Sequence, residues 1–292
     1  MKIRHFLLIV LSITILSCKP QKEKTEAAST VETKKTTKKE ATAQPNVTVL
    51  EKEFEMPGLD RSRQIRIYLP PNYEKSDSKY PVLYMHDAQN LFDDATAYAG
   101  EWGIDESLNK LAKTQNLELI VIGIDNGGEK RMNELSPWKN KEFGNPEGEA
   151  YMDFIVKTIK PYIDSNYRTL TDKDHTAILG SSMGGLISHY AIYKYPEIFG
   201  KAGIFSPSYW FSEEVFSFTK DNPVPHDSRL YLLVGKKEGP NMHTNTQKMY
   251  DQIVTATHPK KNISVLIDPE GEHNEAFWKK HFPTAILWLF KS

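Results

Sequence analysis

The sequence predicts an α/β fold with a mostly parallel central sheet and helices on both faces. Three observations carry this. From residue 47 onward, short apolar runs alternate with stretches whose apolar residues recur at helical spacing, the pattern of successive βα units. Several of the runs are apolar without interruption, as strands buried on both faces must be. One such run passes directly into a Gly-x-Ser-x-Gly turn and then into a helical pattern. The 292 residues are 39% hydrophobic and 11% aromatic, enough for the core of one large domain or two small ones. A formal net charge of -1 gives no reason to invoke nucleic acid.

The N-terminus reads as a targeting segment. Lys2 and Arg4 precede an apolar run, Phe6 to Leu16, that is too short for a stable membrane span. It closes on Ile15-Leu16-Ser17-Cys18, a small residue before a cysteine, which resembles the lipobox of bacterial lipoproteins. That resemblance implies removal of residues 1–17, lipidation of the Cys18 thiol, and a protein held to a membrane of the cell envelope outside the cytoplasm. Cys18 is the only cysteine, so no disulfide is expected in the exported domain. Residues 18–46 are rich in Lys, Glu, Thr and Ala and poor in large apolar side chains, and are expected to form a disordered tether. The globular domain is expected over 47–292.

Within it, Ile65, Ile67 and Leu69 alternate with Arg66 and Tyr68, the pattern of a strand with one wet face. Tyr80 to Met85 and Leu119 to Ile124 read as buried strands, with a helix from Ile104 to Ala112 between them. Tyr151 to Asn166 has helical spacing throughout. His175 to Leu179 reads as the strand before the Gly-x-Ser-x-Gly turn, and Leu186 to Tyr195 as the helix after it. Ala202 to Phe205, Leu230 to Val234 and Ile263 to Ile267 are further strands, with helices near Met242 to Ala256 and Ala276 to Phe290.

The turn Gly180-Ser181-Ser182-Met183-Gly184 has the chemistry of a nucleophile elbow. A serine on a tight strand-to-helix turn needs neighbours without side chains, and the turn would aim the Met183 amide at a reacting carbonyl. The hydroxyl needs a base, and the base an orienting acid. In the α/β-hydrolases, whose elbow this turn resembles, the acid and then the base follow the serine in chain order, so the candidates are sought in loops after later strands. His273 follows Ile263 to Ile267 by a short loop, and Glu238 follows Leu230 to Val234. Asp268 rivals Glu238 for the acid. A second oxyanion donor is expected from the loop after Tyr80 to Met85. The acids Asp87, Asp93 and Asp94 lack a persuasive metal-ligand spacing with His86, so no metal or other cofactor is expected.

At this point the chain resembles the esterase D-like branch of the α/β-hydrolases, which includes enterochelin esterases, feruloyl and acetyl-xylan esterases, S-formylglutathione hydrolases and mycolyltransferases. The resemblance runs in family order over nearly all of 47–292. It is carried by Leu69 to Tyr73, Tyr80 to Asp93, Arg131 to Trp138, Gly180 to Gly185, Tyr195 to Gly200, Ser206 to Trp210 and Gly271 to Glu275. It implies the α/β-hydrolase fold and ester hydrolysis through Ser182 as nucleophile, His273 as base and Glu238 as acid, with oxyanion amides at Met183 and Gln89. It also implies that His86 and Asp87 brace the oxyanion loop. Ala88 stands where the family usually has glycine, which the turn tolerates if Ala88 keeps φ below zero. The family layout puts Trp102, Trp138, Tyr209 and Trp210 in or beside loops at this edge, where they could make a substrate wall, and Arg131 could meet an anionic substrate group. For each aromatic singly, core packing is the competing role, and for Arg131 a surface salt bridge. The expected substrates are small-molecule or glycan esters reachable from the envelope, such as acylated polysaccharides or siderophore esters. An acyltransferase using the same residues and a non-catalytic surface binding protein remain open at this stage.

Overall fold

The computed structural model describes residues 39–291. The signal segment, Cys18 and most of the tether lie outside them. Among the described residues ten strands occur in chain order: β1 (Val47–Val49), β2 (Phe54–Met56), β3 (Arg61–Arg63), β4 (Ile65–Tyr68), β5 (Val82–His86), β6 (Ile120–Ile124), β7 (Thr176–Ser181), β8 (Lys201–Phe205), β9 (Arg229–Gly235) and β10 (Ile263–Asp268). Eight of them form one sheet in the order β1-β4-β6-β5-β7-β8-β9-β10, and β2 and β3 pair separately. Strands β5 to β10 run parallel, while β1 and β4 run antiparallel at one edge.

The helices are α1 (Ile104–Gln115), α2 (Arg131–Glu134), α3 (Gly148–Phe154), α4 (Lys160–Asn166), α5 (Met183–Lys194), α6 (Glu214–Asp221), α7 (Met242–Thr255) and α8 (Glu275–Lys291). Alternate strand residues feed two cores. Val82, Tyr84, Ile120, Ile122 and Ile178 pack with α3, α5 and α7 on one face. Leu83, Met85, Val121, Leu179 and Leu233 pack with α1 and α8 on the other. Every residue of α5 from Met183 to Tyr193 is buried, so the helix after the serine turn is held from all sides.

Three local readings change. All four residues of β4 are buried, Arg66 included. Its guanidinium pairs with Asp125 at 2.8 Å and donates to Thr96 at 3.0 Å, so the charge is neutralised inside rather than solvated. The helix expected over 151–166 is interrupted by a π-helical segment, Ile155–Ile159. Pro161 lies two residues on, and a proline lacks the N–H and the room for a normal turn against the carbonyl four residues earlier. The end of the stretch read as a tether is fastened to the domain. Thr42 N donates to Asp93 at 3.0 Å, Thr42 Oγ1 donates to Glu101 at 2.7 Å, and Gln44 N donates to Asp105 at 2.8 Å.

Candidate active site

Strand β7 ends in the serine turn. Ser182 has φ 59° and ψ −118°, a strained conformation for a residue with a side chain. It is held there by Ser182 N on Phe205 O at 2.9 Å and by Ser208 N on Ser182 O at 3.0 Å. A Cβ at Gly180 would lie 2.6 Å from the Gly184 carbonyl carbon, so strand and helix cross in contact only because Gly180 has no side chain. The first amides of α5, beginning with Met183, have no intrahelical acceptor. Ser182 Oγ lies 3.2 Å from Ser208 Oγ. Among the described residues no hydrogen bond joins it to His273, a looseness ordinary in a resting site.

Strand β5 runs into Asp87, left-handed at φ 57°, and then a single 3-10 turn over Ala88–Asn90. Ala88 is not among the positive-φ residues, so its methyl is accommodated, and it lies directly over Gly123, whose lack of a side chain makes the room. Asp87 is gripped by Arg131 (Nε to Oδ1 2.6 Å, Nη2 to Oδ2 2.9 Å) and by Asn126 Nδ2 at 2.9 Å. Burial pushes the Asp87 carboxyl up, but the Arg131 charge outweighs it and the pKa is lowered. Gln89 is locked sideways, its Oε1 accepting from Asn126 N at 2.9 Å. His86 Nδ1 meets the Tyr151 hydroxyl at 2.7 Å, and burial lowers its pKa to about 4, so it stays neutral. His86 and Asp87 thus brace this turn.

After β9, Glu238 folds back on its own strand end. Its Oε1 accepts from Gly235 N at 2.5 Å and from Ser206 Oγ at 2.6 Å. Its Oε2 lies 2.9 Å from His273 Nδ1, and the side chain is 0% exposed. The loops after β9 and β10 touch backbone to backbone at Gly235 and Gly271, where any side chain on Gly235 would collide with the Gly271 carbonyl. Trp278 Nε1 donates to Ser206 Oγ at 2.9 Å, and its ring meets the His273 ring edge-on at 5.0 Å. Asp268 is committed elsewhere: Lys280 and His281 each hold it at 2.9 Å. Those contacts, led by Lys280, lower its pKa.

Ser182, His273, Gln89, Arg131, Trp102 and Trp278 line one cavity of about 560 Å³. The substrate-wall expectation divides. Trp102 reaches the cavity while stacking on Phe205 at 5.8 Å. Arg131 reaches it too, with its charge already matched by Asp87. Trp138 and Tyr209 do not belong to it. Trp138 packs edge-on against Tyr190 and Phe218 in the core, and Tyr209 is fully buried with its hydroxyl on His189 at 2.9 Å. Trp210 is 50% exposed against Phe211 and outside the cavity lining. Sequence reasoning assigned no site role to Trp278, Ser206 or Glu275. Ser206 is the least visible, a serine at φ 43° whose role exists only through Glu238 and Trp278. Among the described residues, no group of three or more His, Cys, Asp or Glu side chains is placed to hold a metal ion.

The chain matches the family described as "Putative esterase" over residues 57–289. It is similar to the uncharacterized protein YbbA of Bacillus subtilis, 28% identical over 244 residues, covering 78% of this chain and 93% of that protein. It is 27% identical over 232 residues to an endo-1,4-beta-xylanase/feruloyl esterase of Xylanibacter ruminicola, covering 77% of this chain and 29% of that protein. Its fold resembles the enterobactin esterase FES from Shigella flexneri with a TM-score of 0.67 at 19% identity, over 86% of this chain and 61% of that one.

Proposed function

The chain belongs to the Esterase family and is an esterase, and from that premise we propose that it cleaves carboxylic esters through an acyl-enzyme on Ser182. In this reading the Ser182 hydroxyl turns from Ser208 toward His273 by rotation about one bond. His273 Nε2 takes the proton as Oγ attacks the acyl carbon. The oxygen that becomes negative is met by the Met183 and Gln89 amides, one at a helix start and one on the braced turn. The carbonyl re-forms, the bond to the alcohol breaks, and the alcohol leaves with the proton from His273. Water then attacks the acyl-serine by the same route, with His273 again as base. Glu238 holds Nδ1 and stabilises the imidazolium without taking its proton.

The single observation that carries this is the 2.9 Å contact between His273 Nδ1 and a fully buried Glu238, with His273 sharing its cavity with a serine in strained backbone geometry. Ser182→Ala should abolish covalent labelling by a fluorophosphonate, and Ser181→Ala should leave most of it. Equal loss in both variants would move the nucleophile elsewhere. The substrates proposed are esters reachable from the envelope, acylated polysaccharides or siderophore esters, because the N-terminal segment carries the features of an exported lipoprotein anchored at Cys18.

A further inference from the structure

We propose that Glu275 sets the charge preference of the site, favouring neutral polyhydroxylated esters and turning away anionic ones. This rests on the ester-hydrolase reading above and narrows its substrate class. Glu275 is the first residue of α8, two positions beyond His273, and lines the same cavity as Ser182. Its Oε1 receives one weak contact, Asn90 Nδ2 at 3.4 Å, and no ion pair engages it among the described residues. A carboxylate offers about four acceptor positions, so Glu275 keeps acceptor capacity for a group bound in the cavity it lines. Half-burial raises its pKa, against its own backbone amide and the charges of His273 and Arg131, so the group is short of solvent.

The amide side chains of the wall are already engaged. Gln89 is tied to Asn126, Asn126 to Asp87, and Asn90 to the Tyr98 amide. Arg131 is the one cation lining the cavity among the described residues, and both of its bonds go to Asp87. Against that cation stand three carboxylates, Asp87 and Glu275 on the wall and Glu238 behind His273. A bound group with hydroxyls to donate finds an unused acceptor in Glu275. A bound carboxylate or catecholate meets a like charge with no free cation to offset it.

The test compares two substrates that differ by one charge, the O-acetyl esters of methyl glucoside and of methyl glucuronoside, whose carboxylate is free and ionised. The intact protein should show a higher kcat/KM on the neutral ester by roughly tenfold, a size expected for like charges several ångströms apart in a partly wet cavity. Raising the ionic strength should shrink that gap. Glu275→Gln should narrow the ratio, and Glu275→Lys should carry it further in the same direction. A ratio unchanged in both variants, or a preference for the glucuronoside in the unaltered protein, overturns the proposal. Fluorophosphonate labelling of the unaltered protein separates the two readings. Labelling with an unchanged ratio overturns the role of Glu275 alone, whereas absence of labelling overturns the hydrolase mechanism and this role with it.

Discussion

Glu238 and Asp268 both stand at the carboxyl ends of neighbouring strands, yet they serve different neighbours. Glu238 is enclosed, with His273 on one oxygen and Gly235 and Ser206 on the other, while Asp268 braces Lys280 and His281 on α8. Glu238→Gln should therefore lower kcat on a p-nitrophenyl ester by about 10²–10⁴-fold, since it removes the orienter and charge partner of the base. Asp268→Asn should cost no more than a few-fold, and the reverse order would exchange their roles. Arg131 calls for a different measurement. It reaches the cavity but grips Asp87, whose left-handed backbone begins the turn that carries Gln89. Arg131→Met should lower kcat about 10–100-fold with KM nearly constant, as loss of an oxyanion donor's support does. A rise in KM at constant kcat would make it a substrate contact instead. These distinctions were only half legible in the sequence. Strand-end position narrowed the acid to two residues, but the sequence does not record which way a loop side chain turns. For the same reason Trp138 and Tyr209, read as possible wall residues, lie in the core.

At the scale of elements, the start of α1 carries a pH signature. Asp105 is fully buried beside Glu106, accepts from Gln44 N at 2.8 Å, and has its pKa pushed up to about 7, chiefly by burial. In the unfolded chain it ionises near its ordinary 3.8. Between those values the unfolded state has released a proton that the folded state keeps, so stability falls as pH rises from about 4 to about 7 and stays lowered above. Asp105→Asn keeps the acceptor and removes the titration. Its melting temperature relative to the unaltered protein should be higher at pH 8 than at pH 4, and an equal change at both would refute this. The long parallel strands and their helices were legible because continuous apolar runs and helical periodicity are strong signals. The three-residue strands β1, β2 and β3 were not, since so few residues display no period. The π segment was hidden as well, because Pro161 sits in an otherwise regular helical pattern.

For the molecule as a whole, two cores on opposite faces of one sheet clamp the strands whose ends supply the chemistry. The expectation of a lipid anchor predicts that the full-length protein partitions with membranes and incorporates radiolabelled palmitate. Cys18→Ala should lose the label and leave the membrane fraction. Retention of both would mean that the anchor lies elsewhere. Among the described residues no helix is long and apolar enough to cross a membrane.

The order of βα units, readable without any structure, determined that Ser182, Glu238, His273 and Gln89 emerge at one edge of the sheet, because parallel strands joined by crossover helices point all their carboxyl ends the same way. Sequence position and the family resemblance favoured Glu238 over Asp268, and tertiary structure shows its contact with His273. That depended on β9 lying beside β10 and on the bare contact of Gly235 with Gly271, which brings Glu238 under His273. Tertiary structure decided which aromatic rings and which carboxylate face the cavity. Side-chain direction in a loop is set by the packing of distant segments, and local sequence carries no record of that packing.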